Sequence, residues 1–261
     1  MRGLFITFEG IDGCGKSTQR ELLAQQLEQR GFEVVVTREP GGTVIGEDIR
    51  RLLISDASVH IAPTTELLLY VAARAQHVAE LIRPSVEAGR IVISDRYTDS
   101  TVAFQGYGRG LDLEMVEKLN RFATGGLVPD LTIVFDLDPA MARTRLGSRP
   151  VGGLLGAFDD QHADFHERMR AGYLRMARSE PLRIRVVDAS GSAEETHSSV
   201  MALVLPKLEE VRSQRSEVRS QRSGVRSQRS EVRSQKSEVR SQRSEVRSQK
   251  QEVGSRDKDL L

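Results

Sequence analysis

Gly10-Ile11-Asp12-Gly13-Cys14-Gly15-Lys16-Ser17 carries the clearest chemistry in this sequence, and Thr18 continues it. Its three glycines let the backbone turn through conformations a β-carbon penalises, so that successive N–H groups can converge on a phosphate. The loop opens a helical stretch from Lys16 to Arg30, whose unpaired amides and dipole favour an anion at its start. The Lys16 ammonium is placed to reach β and γ phosphates, and the Ser17 hydroxyl to ligate the Mg²⁺ that bridges them. A chance glycine-rich turn would lack the complete GxxxxGKS spacing and the preceding apolar run Leu4–Phe8. The segment is therefore read as a loop that binds a nucleoside triphosphate.

Other reactive side chains fall where apolar runs end. Asp95 closes the run Arg90–Ser94 and stands where a second magnesium-linked group belongs, with Arg96 beside it to neutralise a transferring phosphoryl group; the plain alternative for the two is a strand-terminal ion pair. Arg38 follows the run Glu33–Thr37 and enters Glu39-Pro40-Gly41-Gly42-Thr43, a turn with Thr43 as helix N-cap. By position alone Arg38 is either a phosphate-facing cation or a solvated loop residue. Tyr70 and Arg74 are four apart and share a helix face, as a clamp for a base and its phosphate or as ordinary core packing. Arg143, Arg145 and Arg149 precede the glycine-rich stretch Val151–Gly156, the composition of a lid that closes over phosphates.

These residues need a scaffold that gathers strand ends. Five short apolar, β-branched runs, Leu4–Phe8, Glu33–Thr37, Arg90–Ser94, Leu131–Leu137 and Arg183–Asp188, alternate with segments of helical spacing. That alternation predicts an α/β fold: a five-stranded parallel sheet, buried on both faces, with helical crossovers and with ligands beyond the carboxyl ends of the strands. A long helix is expected over Thr64–Ala88, apolar on Leu67, Leu68, Val71, Val78 and Leu81, suited to the core or to a dimer contact. A lid is expected at about residues 139–165, with its second helix near Asp160–Arg178.

Four segments together resemble the thymidylate kinases: Phe8-Glu9-Gly10 through Lys16-Ser17-Thr18; Arg38-Glu39-Pro40-Gly41-Gly42-Thr43; Thr65-Glu66-Leu67-Leu68-Leu69-Tyr70 through Arg74-Ala75-Gln76-His77; and Asp95-Arg96-Tyr97 through Gln105-Gly106. The likeness spans residues 1 to about 208. It implies a P-loop kinase fold, ATP with Mg²⁺ as phosphoryl donor, dTMP as acceptor and a homodimer. By the same likeness Asp12 would bind the sugar 3′-hydroxyl, Tyr70 would stack on thymine, and Arg74 would pair with a base carbonyl. Arg38 and Arg96 would hold the dTMP phosphate, Asp95 would lie near the metal, and Thr101 and Gln105 would line or read the base. Phe104 stands where relatives often carry tyrosine. The lid arginine found in relatives with an Asp-Arg-aromatic-Glu segment is missing from Gly156-Ala157-Phe158-Asp159, and Arg149 is the substitute expected here.

Composition narrows the alternatives. One cysteine cannot form an internal disulfide, and no run is long enough for a membrane span, so a cytoplasmic protein is expected. The single asparagine, Asn120 in Asn-Arg-Phe-Ala, leaves no NKxD guanine reader and disfavours a GTPase. Two readings compete with the kinase of dTMP: another nucleoside monophosphate kinase, or a nucleotide-binding scaffold with a weakened lid. Residues 1–210 carry 24 Lys+Arg against 30 Asp+Glu, and residues 211–261 carry 14 against 7. That basic tail repeats Val-Arg-Ser-Gln-Arg-Ser-Glu with period seven from Val211. One apolar residue per heptad gives no coiled-coil seam, so a low-complexity, disordered or marginally helical segment is expected. Nucleic acid, an acidic partner or the chain's own body would each suit its charge. Cys14, at a helix N-terminus, is read as a small tolerated residue whose thiol acidity that position would raise.

Overall fold

A row of five parallel strands organises the first part of the chain. The computed structural model describes residues 2–54, 61–147, 163–213 and 236. The strands are β1 (Phe5–Glu9), β2 (Val34–Arg38), β3 (Ile91–Asp95), β4 (Leu131–Asp136) and β5 (Ile184–Asp188), in the spatial order β2-β3-β1-β4-β5. Each matches an apolar run predicted from sequence to within a residue or two. β1 is central, with Phe8 opposite both Asp95 and Ile133, so the phosphate-binding loop that follows Glu9 leaves the middle of the carboxyl edge. Arg38 lies opposite Asp95 in the β2–β3 register, which brings those two strand ends together.

Burial on both faces holds only for the inner strands. All five residues of β1 are buried, as are Ile91–Ser94 and Leu131–Phe135, whereas the edge strand β2 exposes Val36 and β5 exposes Arg185 and Val186. An edge strand meets the helical layers over only part of its width, so its alternate residues reach solvent. The central faces also carry polar atoms. Thr7 and Thr132 share a hydroxyl hydrogen bond of 2.7 Å across β1 and β4, and Thr132 donates to Asp99 at 3.2 Å. Arg183 closes that group with bonds of 2.6 and 2.9 Å to the Asp99 carboxylate.

Helices α1 (Lys16–Gln29), α2 (Val44–Ile54), α3 (Pro63–His77) and α4 (Arg83–Glu87) come in the first half of the chain. Thr43 acts as the expected N-cap of α2, its hydroxyl accepting from Gly46 N–H at 3.0 Å. The helix expected over 64–88 is present but changes pitch: a π-turn at Val78–Ile82 joins α3 to α4, and Arg83 N–H reaches five residues back to Val78. Pro84 has no N–H to continue an ordinary ladder, and the wider turn accommodates that gap. Val78, Ile82 and Val86 then pack with Phe5, Val92 and Tyr97 beneath the sheet. Of the apolar residues expected on this helix, Leu67, Val71 and Val78 are buried, while Leu68 is half exposed.

The second half adds α5 (Thr98–Thr101), a π-helical segment Val102–Gly108, α6 (Leu113–Thr124), α7 (Pro139–Leu146) and α8 (Ala163–Ser179). A ninth helix, α9, begins at residue 193. The chain divides into two units, Met1–Glu209 and Glu210–Leu261. The glycine-rich centre of the lid, with Arg149 and Gly156–Asp159, and almost all of the heptad tail lie outside the described residues.

Candidate active site

The loop after β1 takes the conformation that its glycines permit. Gly13 and Gly15 have φ of 82° and 94°. A β-carbon at Gly13 would stand 2.7 Å from Ala142 O, whereas at Gly15 it would meet nothing within 4 Å, so close packing excludes a side chain at the first and backbone conformation disfavours one at the second. Lys16 folds back over this loop, donating to Gly10 O at 3.1 Å and Ile11 O at 2.8 Å. Both carbonyls hold the ammonium at the start of α1, where an anion would exchange for them. Cys14 is buried with Sγ 3.6 Å from Lys16 Nζ. Burial pushes its thiol up, more than the neighbouring cations bring it down, which corrects the expectation of a more acidic thiol.

At the mouth of the same loop, Ser17 Oγ lies 3.3 Å from Asp95 Oδ2. A hydroxyl and a carboxylate are hard oxygen donors, and two protein ligands completed by phosphate and water suit Mg²⁺. Among the described residues no three His, Cys, Asp or Glu side chains form a closed metal cage. The donor set thus fits a metal that arrives with phosphates.

Arg96 is the pivot of the site. It is the one non-glycine among the described residues with positive φ, 72°, a costly conformation that its surroundings enforce. Its N–H bonds Phe8 O at 2.9 Å, its carbonyl accepts from Ser94, and the following Tyr97 N–H donates to Glu9 Oε1 at 2.7 Å. The guanidinium donates to Asp12 at 2.7 Å, to Gly10 O at 3.1 Å and to Ser100 at 3.1 Å, and lies 4.6 Å from the centroid of the Phe104 ring. Burial alone would raise the Asp12 carboxyl, but Arg96 and Lys16 outweigh it and hold Asp12 below its usual range.

Behind Arg96, Glu9 is fully buried and accepts from Ser100 at 2.5 Å and from Tyr173 of α8 at 2.9 Å. Burial first, and the Asp99 carboxylate second, push Glu9 from 4.5 up to about 7. The native chain therefore keeps a proton there that the unfolded chain releases between those values. This contribution to stability is full below pH 4.5 and is lost as pH rises through about 7. Glu9→Gln is expected to flatten that loss, which urea-denaturation midpoints across the window would measure. Parallel curves for the two forms would contradict it.

One cavity of about 610 Å³, counted to its open mouth, begins at Asp12 and Arg96 and runs between Tyr70, Phe104 and Gln105. Arg74 and Thr101 form part of its wall together with Tyr70. Arg74 is 1% exposed, and each of its three nitrogens is engaged: with Glu39, with Thr101 at 2.9 Å, with Asn120 at 2.6 Å and with Tyr97 O at 2.9 Å. Glu39 is shared with His77, 3.0 Å away, whose other nitrogen bonds Thr37 at 2.7 Å. Arg38 does not line the cavity; its guanidinium holds both oxygens of Glu47 at 3.0 Å. Arg50, which lines it instead, donates to Pro40 O at 3.0 Å.

Sequence reasoning assigned no task to Glu9, Glu66, Arg50 or Tyr173. Glu9 and Glu66 sat inside quoted motifs without a partner to suggest their use, and Tyr173 meets Glu9 across 164 positions, which leaves no local signal. Of the lid arginines, Arg145 turns toward the chain after β5, donating to Ala189 O, Ser190 O and Gly191 O at 2.7, 2.9 and 3.2 Å. Those bonds fix a loop rather than reach toward the cavity.

Comparison with known proteins adds an independent line. The family model described as thymidylate kinase matches residues 8–200. A thymidylate kinase of Solidesulfovibrio magneticus is 47% identical over 205 residues, covering 77% of this chain and 98% of its own. One of Desulfovibrio desulfuricans is 49% identical over 196 residues, 74% of this chain and 90% of that one. The crystal structure of thymidylate kinase from Ehrlichia chaffeensis superposes with TM-score 0.65 at 34% identity, covering 78% of this chain and all of the other.

Proposed function

Because the chain belongs to the thymidylate kinase family, we propose that the cavity beside the phosphate-binding loop is its dTMP site and that the loop holds ATP. The reaction is transfer of the γ-phosphoryl group of ATP to dTMP, giving dTDP and ADP. The alternatives of a different monophosphate kinase or a nucleotide-binding scaffold are not favoured by relatives that are 47% and 49% identical over 77% and 74% of the chain. One observation carries the assignment of residues: Asp12 lies in the ATP loop and also lines the cavity, bonded to Arg96 at 2.7 Å, so donor and acceptor sites meet at one ion pair.

In this reading a phosphate oxygen of dTMP, already anionic near neutral pH, attacks the γ-phosphorus in line as the bond to the ADP oxygen breaks. No general base is required, and the residues contribute position and charge. The amides of Gly10–Thr18 cradle the ATP phosphates, and Lys16 exchanges its carbonyl partners for their oxygens. Ser17 and Asp95 would hold Mg²⁺, which when bound would neutralise charge on the phosphate oxygens. Arg96 faces the dTMP phosphate and the transferring group, with Arg50, and Arg38 once freed from Glu47, at the outer side. Asp12 accepts from the sugar 3′-hydroxyl.

Tyr70 stacks on the base, Phe104 closes the sugar side, and Thr101 and Gln105 read or border the base edge. With its donors engaged, Arg74 is assigned mainly to holding Thr101 and the turn after β2, and to a base carbonyl only by sharing a bond. Arg149 is proposed as the lid cation. Tyr70→Ala tests the cavity assignment: loss of a stacked base contact raises KM for dTMP by about tenfold with KM for ATP nearly unchanged. An unchanged KM for dTMP would place the base elsewhere.

The proposal extends to a homodimer. Val44, Ile45, Leu52, Leu68, Met115 and Phe122 are exposed on α2, α3 and α6, and α3 packs against both of the others. An apolar face of that kind suits a second copy; a single-chain mass by sedimentation would exclude it. No described helix is long and apolar enough to cross a membrane, and a cytoplasmic location accords with a nucleotide substrate.

A further inference from the structure

One wall of the cavity carries an orientation problem that the neighbouring charge solves. Gln105, on the π-helical segment, is 1% exposed and lines the cavity together with Phe104 and Thr101. Its side-chain amide has two chemically opposite ends, a carbonyl that accepts and an NH₂ that donates. Glu66 of α3, 3% exposed, takes Gln105 Nε2 at 2.7 Å on one carboxylate oxygen. The other oxygen receives Arg109 at 3.1 Å, and Arg109 in turn lies 5.3 Å from the centroid of Phe165 at the start of α8.

A carboxylate paired with a guanidinium offers acceptors only, so the amide end that meets Glu66 must be the donor. The flipped amide would set two oxygens against each other inside the core, an expensive loss of a buried hydrogen bond. Gln105 Oε1 is thereby turned away from Glu66. Among the described residues no donor is bonded to it, and it is not one of the side-chain atoms sealed without a partner. It opens to the cavity as a fixed acceptor.

We infer that Glu66 is a positioning residue that fixes which end of the Gln105 amide faces the base, and so selects pyrimidines with an N3–H, thymine and uracil, over cytosine. The inference rests on the proposed dTMP site. Thymine and uracil present a donor at N3 and cytosine an acceptor, so an imposed Oε1 pairs with the first two and repels the third. Glu66 touches no substrate in this scheme. Its effect passes through Gln105, and a site built around a directed hydrogen bond rejects the mismatched analogue far more strongly than an apolar pocket does.

The test is steady-state turnover of the full-length chain with dTMP, dUMP and dCMP, for wild type and Glu66→Gln. An amide at position 66 can donate as well as accept, so it frees Gln105 to turn its NH₂ toward the base. The ratio of kcat/KM for dTMP to that for dCMP is then expected to fall by at least about tenfold. Glu66→Asp keeps an acceptor-only neighbour and is expected to hold that ratio within about threefold whatever its overall activity. The exchanged pair, Glu66→Gln with Gln105→Glu, again leaves an acceptor facing the base and is expected to regain discrimination. If Glu66→Gln does not fold, the aspartate and exchanged variants decide.

Equal losses on dTMP and dCMP in Glu66→Gln would mark a merely structural residue and overturn the inference, as would collapse of the ratio in Glu66→Asp. Failure of wild type to phosphorylate dTMP would instead strike the proposed site itself, so the two failures are distinguishable.

Discussion

Arg96→Met is expected to lower kcat/KM for dTMP by about a thousandfold or more, with KM for ATP changed by less than about threefold. The guanidinium is partly buried at 15% exposure, held by Asp12, Gly10 O and Ser100 and backed by the Phe104 ring, so its charge is directed before substrate arrives. Preorganised charge acts where the transferring group becomes most anionic, and a neutral isostere removes it without emptying the space. Lysine is not expected to rescue, because a compact ammonium does not reproduce the planar fork that bonds Asp12, Gly10 O and Ser100 while leaving N–H groups for a phosphate. The variant also strands the Asp12 carboxylate. Arg96→Met with Asp12→Asn separates that effect: if lost charge is the cause, the double variant stays as slow as the single one. A fall of less than tenfold would shift the phosphate contact to Arg50 and Arg38.

Lys16→Met is expected to reduce kcat by about a hundredfold to a thousandfold, more than it weakens ATP binding. The ammonium now satisfies two loop carbonyls at 3.1 and 2.8 Å, and the residue is 6% exposed. It is thus stored at the spot where β and γ phosphate oxygens would replace those carbonyls. Methionine keeps the stem packed and deletes only the charge, so circular dichroism should match wild type. Single-turnover rates with saturating ATP, set beside ATP affinity from equilibrium titration, separate the two effects. Equal losses in binding and rate would make Lys16 a ground-state anchor only.

What was legible in the sequence was local in the chain. The phosphate-binding loop lies within eight consecutive residues, and the five strands announced themselves as short β-branched runs between helical segments. Tyr70 and Arg74 could be put on one helix face by spacing alone, and the structure brings both to the cavity wall. What Arg74 does there was not legible, because its partners Glu39, Thr101 and Asn120 come from three separate elements up to 46 positions away. The same limit hid Tyr173, whose hydroxyl meets Glu9 and Ser100 only after α8 packs beside the π-helical segment. Arg50 carried no motif at all; its position depends on how α2 leaves the Pro40–Thr43 turn. Pitch changes at Val78–Ile82 and Val102–Gly108 were equally invisible, since a π-turn shifts side-chain phase by one residue without altering composition.

The central claim, that this one cavity takes dTMP as phosphoryl acceptor, is tested most directly by ADP formation from ATP and Mg²⁺ with the full chain. dTMP, dUMP, UMP, CMP and AMP are offered in parallel under identical conditions. The account predicts that dTMP gives the highest kcat/KM, exceeding AMP and CMP by at least about a hundredfold. Turnover of AMP or CMP on a par with dTMP, or none with dTMP despite intact ATP binding, would contradict it.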